Sequence, residues 1–221
     1  MPELSWLPRV GAMVVVVTAF ILLISPSWRT SLVTLAGQYL GVFLLLIVDG
    51  PFQLALTKLV TGIMAAAVLG MSISIMMRPG ELPASTAISF SDEALEAYSG
   101  SPKPGGRRFF SREAFRLLTG LLAALVGFSI APQLVAWAPG MSNEQAWGSV
   151  ILLGAGLLQL GFTIKPFRTI LGLLTFLSGF EIIYAIAEPS ALVTGLLAVV
   201  TLGLSLVGAY LLTNVPLKES E

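Results

Sequence analysis

Seven long apolar runs, separated by short polar breaks, make up most of the chain: 9–25, 30–48, 52–76, 114–136, 147–164, 169–187 and 190–213. About twenty apolar residues are needed to cross a bilayer as helix, so each run predicts one transmembrane span. The breaks carry turn chemistry. Ser25-Pro26-Ser27 ends the first run, because proline cannot continue a helix and restricts the residue before it. Asp49-Gly50-Pro51 predicts a tight turn between the second and third runs. Pro132 predicts a kink or an end late in the fourth, and Ala138-Pro139-Gly140 opens the polar turn after it. Pro166 and Pro189 bound the sixth run.

The segment 78–112 is the one long polar stretch, rich in Pro, Gly and Ser. Acidic residues come first (Asp92, Glu93, Glu96) and basic ones later (Lys103, Arg107, Arg108). Within it, the eight residues from Ser91 to Tyr98 predict a short capped helix. The expected organisation is therefore a three-helix membrane unit at 1–77 and a polar cytoplasmic loop at 78–112. A linking transmembrane helix with an outer loop follows at 113–146, and a second three-helix unit at 147–221.

Composition agrees with this all-α, polytopic membrane class. The chain of 221 residues is 56% hydrophobic and only 11% charged, against about 25% charged in ordinary soluble domains. The runs are continuous rather than alternating, which excludes a β-barrel. There is no cysteine and no histidine. Disulfide and thiolate chemistry are thereby excluded, and the commonest metal ligand is missing. Zero net charge offers no nucleic-acid footprint. No Walker loop, dinucleotide fingerprint or metal-ligand cluster occurs, so neither cofactor nor metal is expected. No cleavable signal is read either, since Arg9 alone precedes the first run and no small-residue cleavage pattern follows it.

Charge sets the expected orientation. Arg29, Arg78, Lys103, Arg107, Arg108, Arg112, Arg116, Lys165, Arg168 and Lys218 fall on one side of a seven-span layout, and only Arg9 falls on the other. The positive-inside rule then puts the N-terminus outside and the C-terminus in the cytoplasm of a cell (inner) membrane. Arg107, Arg108, Arg112 and Arg116 read as a topology anchor or as a lipid-headgroup or partner-binding patch. Trp6, Trp28, Trp137 and Trp147 stand at span ends, as an aromatic belt requires.

Two places look alike. Trp28-Arg29-Thr30 and Phe167-Arg168-Thr169 each open a run behind a proline, and each run ends in an acid and a proline. The offset that brings Arg29 onto Arg168 superposes spans 1–3 on spans 5–7, a parallel duplication rather than an inverted repeat. Chance likeness between apolar helices is the rival reading. On this offset Glu181 matches Val42 and Lys58 matches Leu197, so each half holds an ionisable group that the other lacks.

Those two residues are the candidate chemistry. Each lies six residues from the outer end of its run, roughly 9 Å deep at 1.5 Å per residue. A charge at such depth costs about 2.5–3.5 kcal/mol on insertion scales and so faces the protein interior or a wet cavity. Equal depth makes a Lys58–Glu181 pair the sharp expectation. The bland alternatives are a lysine that snorkels to the interface and a purely structural acid. Gln38 and Gln159 are secondary polar groups at membrane depth, expected to hydrogen-bond between helices. Gly154-Ala155-Gly156, Gly195 and Gly203 suit close helix packing.

The run Gly179-Phe180-Glu181-Ile182-Ile183 resembles the glutamate helix of the small K-type subunit of respiratory complex I. The stretch that follows, from Glu188-Pro189 to Val200, is similar to the third helix of the C subunit of Mrp-type sodium/proton antiporters. Two such units in one chain resemble component E of the group 4 membrane hydrogenases, whose intramembrane lysine segment Ala55-Leu56-Thr57-Lys58 also resembles. The resemblance implies a non-catalytic subunit of an energy-converting complex, aiding proton or sodium movement beside other membrane subunits in the lipid bilayer. By it, Glu181 matches the family's glutamate and Lys58 its lysine. The chain lacks the family's second intramembrane glutamate and the Asn that often follows the first. A structural or assembly subunit of another bioenergetic complex and a stand-alone small transporter are the alternatives.

Overall fold

The structure, a computed structural model, describes residues 6–25, 27–47, 52–76, 108–163, 165–187 and 190–213. Among them are seven helices and no strand: α1 (Leu7–Ile24), α2 (Trp28–Leu46), α3 (Phe52–Met76), α4 (Arg108–Trp137), α5 (Asn143–Phe162), α6 (Pro166–Ala187) and α7 (Ala191–Thr213). Every one is long and apolar enough to cross a membrane. The chain is a multi-pass, all-α membrane protein. The expected turn at Asp49-Gly50-Pro51, the helix at Ser91–Tyr98 and the break at Glu188-Pro189 lie outside the described residues.

Local chemistry explains where the helices begin and end. α5 starts four residues before the expected span because Ser142 and Gln145 form a reciprocal capping box. The Gln145 backbone N–H donates to Ser142 Oγ at 3.3 Å, and the Ser142 N–H donates to Gln145 Oε1 at 2.9 Å. The amide of Gln145 also donates to the Leu45 carbonyl at 3.0 Å, which ties the start of α5 to the end of α2. α4 begins at Arg108, ahead of the expected span, and runs through Pro132 to Trp137 rather than ending at the proline. It stops only at the turn after Trp137, where Gly140 takes the left-handed φ of +100°.

The helices pack as two rows of three. α1, α2 and α3 form one row, and α5, α6 and α7 form the other. Across the rows α1 lies on α5, α2 on α6 and α3 on α7, while α4 covers α5 and the edge of α1. A two-fold relation would instead set α1 against α7, so the rows stack face to back in the same order. Within rows, neighbours run antiparallel at glycine contacts. A Cβ on Gly11 would meet the Gly41 carbonyl of α2 at 3.0 Å, and one on Gly156 would meet the Phe176 backbone nitrogen of α6 at 2.5 Å. Small residues let backbones approach closely, which is how helices gain packing in lipid. Gly195 and Gly203 do not serve this purpose: nothing lies within 4 Å of a Cβ on either. They sit on a face of α7 whose neighbours Leu192, Leu196 and Val199 are exposed.

Two apolar clusters fill the interior. One gathers Val15, Val42, Leu45, Ala146, Leu152 and Ile182; the other gathers Leu22, Leu35, Leu69, Leu171 and Leu174. Along α6 the chain passes from Leu174 of one cluster, through Ser178 and Glu181, to Ile182 of the other. The polar groups thus occupy a level between two apolar layers.

Candidate functional site

Helices α2, α3, α7 and α6 form a square in which each helix touches the next, and α3 and α6 stand on its diagonal. Lys58 of α3 and Glu181 of α6 reach across that diagonal. The Lys58 Nζ lies 2.5 Å from Glu181 Oε1, with the side chains only 3% and 1% exposed. Lys58 therefore does not snorkel. Pairing relieves the desolvation that each would otherwise suffer inside the bundle.

Thr201 of α7 completes the arrangement. Its hydroxyl lies 3.2 Å from Glu181 Oε1 and 2.9 Å from the Leu197 carbonyl one turn back. A hydroxyl carries one proton, so Thr201 donates either to the carboxylate or to its own helix. Lys58 Nζ has no other hydrogen-bond acceptor among the described residues. An ammonium has three N–H donors, so this one holds donor capacity in reserve.

Tyr39 of α2 forms the next wall. It is 1% exposed, and its ring packs against Gly62, one helical turn from Lys58. Its hydroxyl lies near Ser178 and within the field of Glu181, yet finds no partner of hydrogen-bond geometry among the described residues. Ser178 itself donates to the Leu174 carbonyl at 2.8 Å. Thr175, one turn further along α6, is 0% exposed with an unpartnered hydroxyl. Unsatisfied polar groups in an apolar interior cost about 1–3 kcal/mol each, so their gathering here is a feature to be explained.

A Cβ on Gly62 would fall 2.0 Å from the Tyr39 ring. Gly62→Ala is therefore expected to drive the ring from its place and loosen the wall beside Lys58. The loss should be about 1–3 kcal/mol, read as a lowered unfolding midpoint. Tyr39→Ala in the same chain should recover part of it, since the clash partner is gone.

No family model, curated protein or solved structure matches the chain.

The site thus stands on its own geometry. Of the four residues singled out from the sequence, the fold brings Lys58 and Glu181 together and leaves Gln159 apart, near the opposite end of α5. Gln38 is 0% exposed on α2, but neither of its amide atoms has a partner among the described residues. Nor does the Gln159 Nε2. The interhelical hydrogen bonds expected of the Gln38 amide and of Gln159 Nε2 are not made among the described residues. Sequence reading missed Thr201, Tyr39 and Ser178. Thr194, Thr201 and Ser205 are all buried on α7 at seven- and four-residue spacing, a one-face polar stripe visible in the sequence. Tyr39 gave no such signal, since an aromatic in an apolar run looks like core. Among the described residues no group of acids could hold a metal ion.

Proposed function

We propose that the chain is a non-catalytic membrane subunit of an energy-converting complex, and that Glu181 and Lys58 form a charge relay in its proton or sodium path. The observation that carries the reading is the pair itself: an acid and a base meeting between two apolar layers, 3% and 1% exposed. Apolar residues would pack there at least as well. The unpartnered hydroxyls of Tyr39 and Thr175 and the amide of Gln38 lie in the same interior and offer further donors and acceptors. Likeness of the Glu181 helix to the complex I K-type subunit adds the class of partner. That class comprises large membrane subunits joined to a redox arm.

In this reading a proton or cation arriving near Glu181 weakens its hold on Lys58. Thr201 turns its hydroxyl from the Leu197 carbonyl to the carboxylate, or back, as that charge changes. The orientation that suits the reading has the N-terminus outside a cell membrane, with basic residues gathered at the cytoplasmic ends.

Glu181→Gln keeps the shape and removes the exchangeable charge. The variant leaves Lys58 buried without its counter-charge, so some loss of assembled complex is expected, and vesicles carrying it should show redox-driven ion movement lowered about tenfold or more per complex assembled on a native gel. Full coupling in the variant would remove Glu181 from the mechanism.

One observation favours a second reading, a structural subunit in which the pair is a clamp. Among the described residues, the grooves between α1, α4, α5 and α6 are lined by residues other than the pair. A clamp predicts instead that whatever Glu181→Gln complex assembles couples normally.

A further inference from the structure

Buried polar atoms without a partner are not spread evenly over the bundle. Among the described residues they belong to Gln38 and Tyr39 of α2, Lys58 of α3, Gln159 of α5 and Thr175 of α6, each 6% exposed or less. None is on α7. There the buried hydroxyls of Thr194, Thr201 and Ser205 donate to carbonyls three or four residues back, at 3.0, 2.9 and 2.8 Å. The two sides of the ion pair therefore differ. On the α7 side the donors are occupied by their own helix, and on the α2 side hydrogen-bonding groups stand uncommitted.

On α6 the polar groups follow a line. Thr175, Ser178 and Glu181 stand three residues apart, and all three are buried. Residues at that spacing are neighbours on a helix surface, with Cβ atoms about 5–6 Å apart. Each step also turns about 60° around the axis, so the line winds from one neighbouring helix to the next. Three residues before Thr175, Gly172 faces α5, where its Cβ would meet the Gln159 Cβ at 3.1 Å. Tyr39 of α2 brings its hydroxyl to Ser178. Glu181 then faces Lys58 of α3. At the other end, Gln159 and Thr163 line a surface cleft with space for about one water, near the α1–α2 turn.

We propose that protons, rather than sodium ions, reach Glu181 along this line from the end of the bundle with the α1–α2 turn. They pass through the hydroxyls of Thr175 and Ser178, and the Tyr39 hydroxyl links Ser178 to the carboxylate. This rests on the proposed role of Glu181 and adds to it the ion and the side of entry. Each hydroxyl takes a proton on a lone pair and releases its own to the next, so no link ends with a changed charge. Ser178 now donates to the Leu174 carbonyl, so its hydroxyl turns to pass the proton on. The last proton goes to the carboxylate, which leaves a neutral Glu181 acid and frees the Lys58 ammonium. A line of hydrogen bonds passes a proton without opening, whereas a metal ion must itself fit. The Tyr39 ring leaves no such width, since a Cβ on Gly62 would already fall 2.0 Å from it.

Two measurements test the line. The first follows tyrosine O–H deuteration by infrared spectroscopy after the full chain in detergent is moved into D2O. The slow component belongs to Tyr39 and is identified by its loss in Tyr39→Phe. Thr175→Val removes a hydroxyl that has no partner and keeps the shape, so the variant should fold. It should slow that component about tenfold or more, while Thr175→Ser keeps the parent rate. Thr194→Val, on the α7 side, should also keep it. The second measures redox-driven proton movement per assembled complex in sodium-free vesicles, where Thr175→Val should again lose about tenfold. Parent-like deuteration in Thr175→Val, or equal losses in Thr175→Val and Thr194→Val, would overturn the line. Normal proton movement in Thr175→Val beside an impaired Glu181→Gln would overturn the line and leave the role of Glu181 standing. Full coupling in Glu181→Gln would remove that role and the line with it. A requirement for sodium would overturn the choice of ion.

Discussion

Lys58→Met is expected to destabilise the protein by about 3–5 kcal/mol, since it leaves a carboxylate buried without its counter-charge. At 1% exposure Glu181 has no water to turn to, and the Thr201 hydroxyl supplies at most one hydrogen bond. Thermal unfolding in detergent, followed by tryptophan fluorescence, reads the loss. The decisive comparison is the double variant Lys58→Met with Glu181→Leu. Replacing both members of a buried pair with apolar residues of similar volume is often neutral or stabilising. The double variant should therefore recover most of the midpoint that the single variant lost. A single variant as stable as the parent chain would mean that the pair is not held away from water as its geometry states. The same cycle separates stability from function, because a stable double variant would lack any charge for a relay.

The second large effect belongs to Gly156. A Cβ there would lie 2.5 Å from the Phe176 backbone nitrogen and 2.7 Å from its Cα. Backbone atoms on a helix cannot turn aside as a side-chain tip can, so α5 and α6 must separate to admit any larger residue. Gly156→Leu is expected to cost about 1–3 kcal/mol by overpacking, or more if the helices part along their length. Gly179 makes the same kind of contact about one turn further along α6, 2.7 Å from the Ser149 carbonyl, so a shift at one contact strains the other. Gly195→Leu is the control: nothing lies within 4 Å of its Cβ, and the variant should unfold at the parent midpoint. If Gly156→Leu behaved like that control, the close α5–α6 approach would be refuted.

Depth along the spans was legible in the chain. Lys58 and Glu181 stand at equal distances from the ends of their runs, and this alone suggested that they could meet. Their meeting also required α3 and α6 to stand on one diagonal, which no spacing within either helix encodes. Gln38 and Gln159 show the opposite failure. Polar residues at membrane depth suggested bonds between helices, yet the Gln38 amide and Gln159 Nε2 lack partners among the described residues, because residue type states a need and not its neighbour. Of the kink or end that Pro132 suggested, the end does not occur, since α4 runs through it to Trp137. Gly195 and Gly156 look the same in sequence, and only the packing separates the open one from the crowded one.

The order of apolar runs and breaks determined seven membrane-crossing helices by itself, because span length and hydropathy are properties of single segments. It also marked one acid and one base as too deep to be surface residues. Which helices became neighbours was decided by the tertiary structure. Row stacking brought Tyr39 and Thr201 to the ion pair and set Gln159 beside two arginines. Such contacts arise from side chains far apart in the chain that pack into one another's space, and no local pattern records that complementarity.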